Sequence, residues 1–216
     1  LIYKNFLNQP LSIPKSLEEY AEIKEFNEML DFSNTSFDYR VYMQSLENPY
    51  LEFTKYPLTN LSDDTICEVL DHLRQPVKKS KRGSGDYIYY GATGKTGMIS
   101  DFIFDEKLVL IGEDGAKWNK GDNTAFIIEG KSWVNNHAHI VRTKNEKLLE
   151  EYLQLVFANL DLGFLKTRPN GGKLQKGEMM KIQFPLPDND TQLKIVKEVS
   201  KLKGAEKWNK FEELLK

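Results

Sequence analysis

Between Tyr87 and Arg142 the chain repeatedly places short β-branched or aromatic runs between Gly, Asn and Asp: Tyr87 to Tyr90, Met98 to Phe104, Leu108 to Ile111, Thr124 to Glu129 and His137 to Arg142. Runs of this length, each closed by a turn residue, are too short for helices and predict strands. The middle of the chain is therefore expected to form a compact, twisted β-rich unit with long loops. Glu129-Gly130-Lys131 reads as a hairpin turn between two of its strands.

Helical periodicity flanks this unit. Leu17, Tyr20, Ile23, Phe26 and Leu30 lie near a 3.6-residue period behind Ser16, which predicts an amphipathic helix over 15–30. Residues 31–56 read as an irregular linker with a short helix around Tyr39 to Leu46. A polar turn, Asn60 to Asp64, precedes a predicted helix from Thr65 to Leu73, with Ser and Asp residues available as caps. Further helices are expected at Glu146 to Asn159 and from Leu193 to the C-terminus. The last follows the helix-stopping Phe184-Pro185-Leu186-Pro187 and carries an apolar stripe of Leu193, Val196, Val199, Leu202, Trp208, Phe211 and Leu215. Such a stripe calls for a helix partner. The fold class is α+β: a compact, twisted β-rich unit with long loops, flanking helices and a long C-terminal helix. The expected organisation is a helical lead-in or linker over 1–55, the main domain over 56–187 and the C-terminal helix over 188–216.

A hydrophobic fraction of 40% and a charged fraction of 29% in 216 residues suit a globular chain able to bury a core. No apolar run approaches the roughly 20 residues of a membrane helix, and no secretory leader is visible, so a cytoplasmic setting is expected. The lone cysteine, Cys67, reads as a small core residue and excludes an internal disulfide. The start at Leu1, without methionine, suggests a fragment of a longer protein. Charge is segregated although the net value is only −2. Residues 1–71 carry 13 acidic and 5 basic side chains, whereas 74–96 hold Arg74, Lys78, Lys79, Lys81, Arg82 and Lys95 against Asp86 alone. A second basic stretch, Lys166 to Lys181, contains Arg168, Lys173 and Lys176. Brought together, the two would make a phosphate-facing surface; kept apart, they are solvated loops.

Several enzymatic motifs are imitated without being met. Gly91-Ala92-Thr93-Gly94-Lys95-Thr96 lacks the earlier glycine of a phosphate loop, since Tyr89 occupies that position, and a strand follows it in place of a helix. Glu129 and Lys131, with Asp114 or Asp122 upstream, imitate a metal-dependent nuclease centre, but the tripeptide is common by chance. His137 and His139, two apart on a predicted strand, would share one face, yet a metal site lacks a marked third ligand. Neither an adenine-methyltransferase motif nor a dinucleotide fingerprint is present.

Three ordered segments carry a family resemblance: Tyr87-Ile88-Tyr89-Tyr90-Gly91-Ala92-Thr93-Gly94-Lys95-Thr96-Gly97, Asp101-Phe102-Ile103-Phe104-Asp105, and Leu110-Ile111-Gly112-Glu113-Asp114-Gly115-Ala116. With Trp133 to Ile140, and Leu174 to Pro187 leading into a helix, they resemble the target-recognition domains of type I restriction-modification specificity subunits. The likeness spans about Tyr56 to Lys203; residues 1–55 depart from it and resemble the joint to a methyltransferase in single-chain restriction-modification enzymes. It implies a module that reads duplex DNA, with methylation and cleavage on partner methyltransferase and restriction subunits or fused domains. S-adenosylmethionine would belong to the methyltransferase, leaving this chain with no cofactor and no catalytic residue. The C-terminal helix would be a coiled-coil spacer pairing with a second recognition half or, in a homodimer, with its own copy. The alternatives are a protein-interaction domain using that helix, or a metal-dependent nuclease.

Base edges are read by Arg, Asn, Gln, Lys and Thr, while phosphates are held by Lys, Arg, Ser, Tyr and backbone amides. Candidate DNA contacts are accordingly Lys79, Lys81 and Arg82; Tyr90, Thr93, Lys95 and Thr96 on one glycine loop; Lys117, Trp118, Asn119 and Lys120 on another; His137; and Arg168, Asn170 and Lys173. Trp118 serves equally well as a core residue. Gly91, Gly94, Gly112 and Gly115 are expected to fix turns.

Overall fold

The β-branched and aromatic runs pair into strands, while helical stretches form where apolar residues recur every third or fourth position. The computed structural model describes residues 50–83, 85–144, 147–163, 165 and 172–216. In chain order these form α1 (Tyr50–Phe53), β1 (Leu58–Thr59), β2 (Cys67–Val69), a 3-10 turn at Asp71–Leu73, and another at Lys79–Lys81. Then come β3 (Tyr87–Gly91), β4 (Gly94–Ile99), β5 (Phe104–Asp105), β6 (Leu108–Gly112), β7 (Ala125–Ile128), β8 (Lys131–Val134) and β9 (Ala138–Thr143). The chain ends with α2 (Glu150–Asn159), α3 (Lys176–Lys181), β10 (Phe184–Pro185), α4 (Asn189–Val199) and α5 (Gly204–Leu215). The fold is α+β, and residues 48–216 cluster as one compact unit. The helix expected over 15–30 and the short one near Tyr39 to Leu46 lie outside the described residues.

One sheet, ordered β2-β9-β6-β7, is antiparallel throughout; the other, ordered β4-β3-β8-β5, contains a parallel β3–β8 pair. Leu108, Leu110, Phe126, Ile128 and Ile140 of the first sheet meet Phe104 and Val134 of the second in one buried cluster. The intervening residues Val109, Ile111, Ala125 and Val141 are also buried, and α2 packs against β6 and β7. Burial on both faces explains why β6 is a continuous apolar run instead of an alternating one. Cys67 is 1% exposed, and burial pushes its thiol up to about 12, leaving it a neutral core group.

Four expectations from the sequence are corrected. Thr65 to Leu73 is a strand followed by a 3-10 turn instead of a helix, because β2 completes the first sheet beside β9, placing Glu68 against Arg142 at 3.1 Å. The preceding turn does form, with Asn60 Oδ1 accepting from Ser62 N and Asp63 Oδ1 from Thr65 N. Met98 to Phe104 is divided between β4 and β5. Gly130, at φ 74°, does turn the chain, but β7 and β8 enter different sheets and make no hairpin.

The long C-terminal helix is the fourth correction. It is two helices, α4 and α5, separated where Lys203 is extended and Gly204 takes φ 55°. Part of its stripe is covered within the chain: Val199, Phe211 and Leu215 are buried and Val196, Leu202 and Trp208 are half-buried, whereas Leu193 stays 51% exposed. Phe211 packs between Tyr50 and Tyr152, with ring centroids 6.4 and 6.1 Å away. Buried Gln192 ties α4 down by donating to Lys147 O and Pro187 O and accepting from Leu149 N. A buried amide satisfied this fully fixes one docking geometry. Among the described residues, no helix is long and apolar enough to cross a membrane.

Candidate nucleic-acid interface

At one end of the two sheets, loops from distant parts of the sequence are brought together. The β3–β4 turn depends on Gly94, whose φ of 115° disfavours any other residue. It abuts the start of the loop between β6 and β7 at Gly112, where a Cβ would lie 2.3 Å from Ala116 Cβ and 3.0 Å from Ala92 O. The turn between β8 and β9 joins through Asn135 N to Tyr90 O at 3.1 Å and Glu113 N to His137 O at 2.8 Å. The segment at Lys173 joins through Leu174 N to Glu113 O at 2.8 Å. Gly112→Ala is expected to cost about 1–3 kcal/mol in urea unfolding, because either Ala116 or the β3–β4 turn must shift; an unchanged midpoint would show that the loops are not in contact.

Beneath these loops lies a charged centre that the sequence reading did not assemble. Buried His139 directs Nδ1 at Asp71 Oδ2, 2.6 Å away, and Nε2 at Leu174 O, 2.8 Å away. Since a carbonyl only accepts, Nε2 is the donor to Leu174 O, and Nδ1 faces the Asp71 carboxylate. Asp71 Oδ1 also accepts from Ile140 N, and Arg74 lies 3.3 Å from Oδ2. Arg74 Nη1 donates to Glu113 Oε2, while Lys173 Nζ sits 2.6 Å from Glu113 Oε1. Burial pushes the Asp71 carboxyl up, but His139, Ile140 N and Arg74 outweigh it and hold the group below its ordinary value. Glu113 behaves likewise: burial raises it, and hydrogen bonds from Lys173 and Arg74 together with the charges of His139 and Arg74 bring it lower. Ligand atoms of Asp71, Glu113 and His139 lie within 4.8 Å of one another, a spacing open to a metal ion. The carboxylate oxygens are engaged by Arg74, Lys173, Ile140 N and His139, which makes the arrangement a salt-bridge network.

Arg74 from the first basic stretch and Lys173 from the second meet on Glu113, which takes both charges. Of the candidate contacts, Thr93, Lys95 and Thr96 are exposed at the β3–β4 turn, although Thr96 Oγ1 donates to Tyr89 O at 3.1 Å. Lys117 is exposed on the adjoining loop. Lys79 and Lys81 are exposed too, on a segment that runs along the second sheet toward Met98, away from the β3–β4 turn. None of these four lysines forms an ion pair with another described residue.

Other candidates have structural duties. Trp118 is 2% exposed and belongs to the core, so its indole is not available to DNA. Arg82 stacks its guanidinium 4.4 Å over Tyr89 and donates to Val77 O. Tyr90 is half-buried against Phe126, and burial pushes its hydroxyl upward. Asn119 is held by Asp122 at 2.9 Å, and Lys120 by Glu212 at 2.5 Å. Lys173 is engaged by Glu113. His137 is 50% exposed, with Nδ1 at 2.5 Å from Asp114. It precedes β9, so it does not share a face with buried His139 as a strand spacing had predicted. Arg168 and Asn170 lie outside the described residues. The nuclease grouping is not assembled either: Glu129 follows the Leu108–Ile128 end of the β6–β7 ladder, whereas Asp114 and Asp122 lie beyond its Ile111–Ala125 end.

Residues 62–214 match the family model of the type I restriction modification DNA specificity domain. A curated type I restriction enzyme specificity subunit of Haemophilus influenzae is 32% identical over 134 residues, covering 62% of this chain and 34% of that protein. The chain thus spans about a third of the length of that relative. Among solved structures, the S subunit of a type I restriction-modification system from M. genitalium aligns with a TM-score of 0.53 and 16% identity, covering 74% of this chain and 41% of that one. A structure from work on complex assembly and conformational transition of the type I restriction-modification system aligns at 0.50 with 15% identity, covering 74% and 42%. These two likenesses concern the fold, and the match from 62 to 214 establishes the family: the chain belongs to the type I restriction modification DNA specificity domains.

Proposed function

We propose that this chain reads sequence in duplex DNA as a specificity module of a restriction-modification assembly. The observation that carries the reading is the family match over 62–214, the same span in which distant loops converge beside exposed Lys95 and Lys117. Phosphate contacts from such lysines set affinity, and neighbouring Thr and Asn side chains can read base edges. Methyl transfer and cleavage lie with a methyltransferase and a restriction subunit, or with domains fused to this one, and S-adenosylmethionine is the methyltransferase's cofactor. A second recognition half, or a second copy of the chain, would complete a bipartite site, and the assembly works in the cytoplasm.

The test is duplex binding across a salt series. Each phosphate contact adds about 0.9 to the slope of log affinity against log salt, so Lys95→Ala with Lys117→Ala is expected to lower that slope by roughly two units on every sequence. A double variant that binds mixed-sequence duplex as tightly as the parent, with the same slope, would remove these loops from the interface.

A further inference from the structure

The charged centre costs the fold more than an apolar filling would, because desolvating several charges is compensated only when every partner is in place. The two-sheet core is complete without it. What the network supplies is relative placement. Glu113 alone fastens three separate segments: its carboxylate takes Arg74 and Lys173, its backbone N–H donates to His137 O, and its carbonyl accepts from Leu174 N. With a side chain only 8% exposed, it lies under the loops and does not compete for phosphate.

We infer that Glu113 is a positioning residue for base discrimination, holding the Arg74 segment, the turn between β8 and β9 and the Lys173 segment in one register with the loop after β6. The inference rests on the DNA-reading function proposed above and adds to it a residue that touches no DNA. Base readout tolerates displacements of only about 0.5 Å in the supporting loops, whereas phosphate contacts by long lysines accommodate more. Losing the Glu113 charge should therefore damage discrimination before it damages affinity.

The experiment uses the full chain and a duplex enriched by the parent from a random-sequence pool, compared with mixed-sequence duplex. Glu113→Gln is expected to bind mixed duplex within about twofold of the parent while its preference for the enriched duplex falls on the order of tenfold. Glu113→Asp should recover part of that preference, and urea unfolding confirms that each variant is folded at the assay temperature. Should Glu113→Gln fail to fold, Arg74→Lys, which keeps the charge but gives up the guanidinium's simultaneous reach to Asp71 and Glu113, carries the same expectation. A folded Glu113→Gln, or Arg74→Lys in its place, that retains the parent's preference overturns the positioning role alone. A parent that enriches no sequence from the pool overturns the DNA-reading function, and this inference with it.

Discussion

Asp71→Ala is expected to remove about 3–5 kcal/mol of unfolding free energy, the range for breaking a buried ion pair by deleting one partner. The substitution strips Nδ1 of His139, a residue with no exposed surface, of its acceptor, and it leaves Ile140 N and Arg74 each short of one. No water-accessible rearrangement replaces all of these at once. The same centre makes stability depend on pH, and the sign follows from the direction of the shifts. Asp71 and Glu113 have folded values below their ordinary ones, so their contribution is fully present above the ordinary carboxyl range of about 4 and is lost as pH falls through the lower folded values. Urea midpoints measured from neutral pH downward should fall for the parent and fall less for Asp71→Ala. An unchanged midpoint at neutral pH would contradict the network.

A comparable loss is expected from Phe211→Ala. This ring has no exposed surface and sits between Tyr50 and Tyr152, whose hydroxyls are themselves fixed by bonds to Val156 O and Pro185 O. Deleting a buried Phe in such rigid surroundings removes its burial and leaves a cavity, together about 3–5 kcal/mol. The measurement also decides what α5 is. If α5 is part of the core, as its packing indicates, tyrosine fluorescence and far-UV circular dichroism should lose stability in a single, earlier transition. If it were an appendage awaiting a partner, the β unit would unfold at the parent's midpoint.

The strands of the central unit were legible because their apolar runs are short and bounded by turn residues, as at Leu108–Gly112 and Ala125–Ile128. Thr65 to Leu73 was not, since Ile66, Leu70 and Leu73 satisfy a helical spacing; pairing with β9, a partner more than 70 residues away, overrides it. The stripe on α4 and α5 was legible as apolar, but periodicity carries no information on whether its partner belongs to the same chain. Gly204 was the available signal for the break. For the site, the two basic stretches were visible, and their meeting point was not. Glu113 sits in a quoted motif, yet nothing in its neighbours marks it as the acceptor for Arg74, 39 residues earlier, and Lys173, 60 later. Trp118 illustrates the converse: a loop position suggests a surface role, and only the packing shows the indole under that loop.

Salt dependence of duplex binding, measured by anisotropy on enriched and mixed-sequence duplexes for the parent chain, tests the DNA-reading function. Affinity is expected to fall steeply with salt on both, with slopes of several units, while the preference for the enriched duplex persists as salt rises, because base contacts displace few counterions. Binding that is independent of salt, or a preference that vanishes at moderate salt, would show that the chain does not read duplex DNA through these loops.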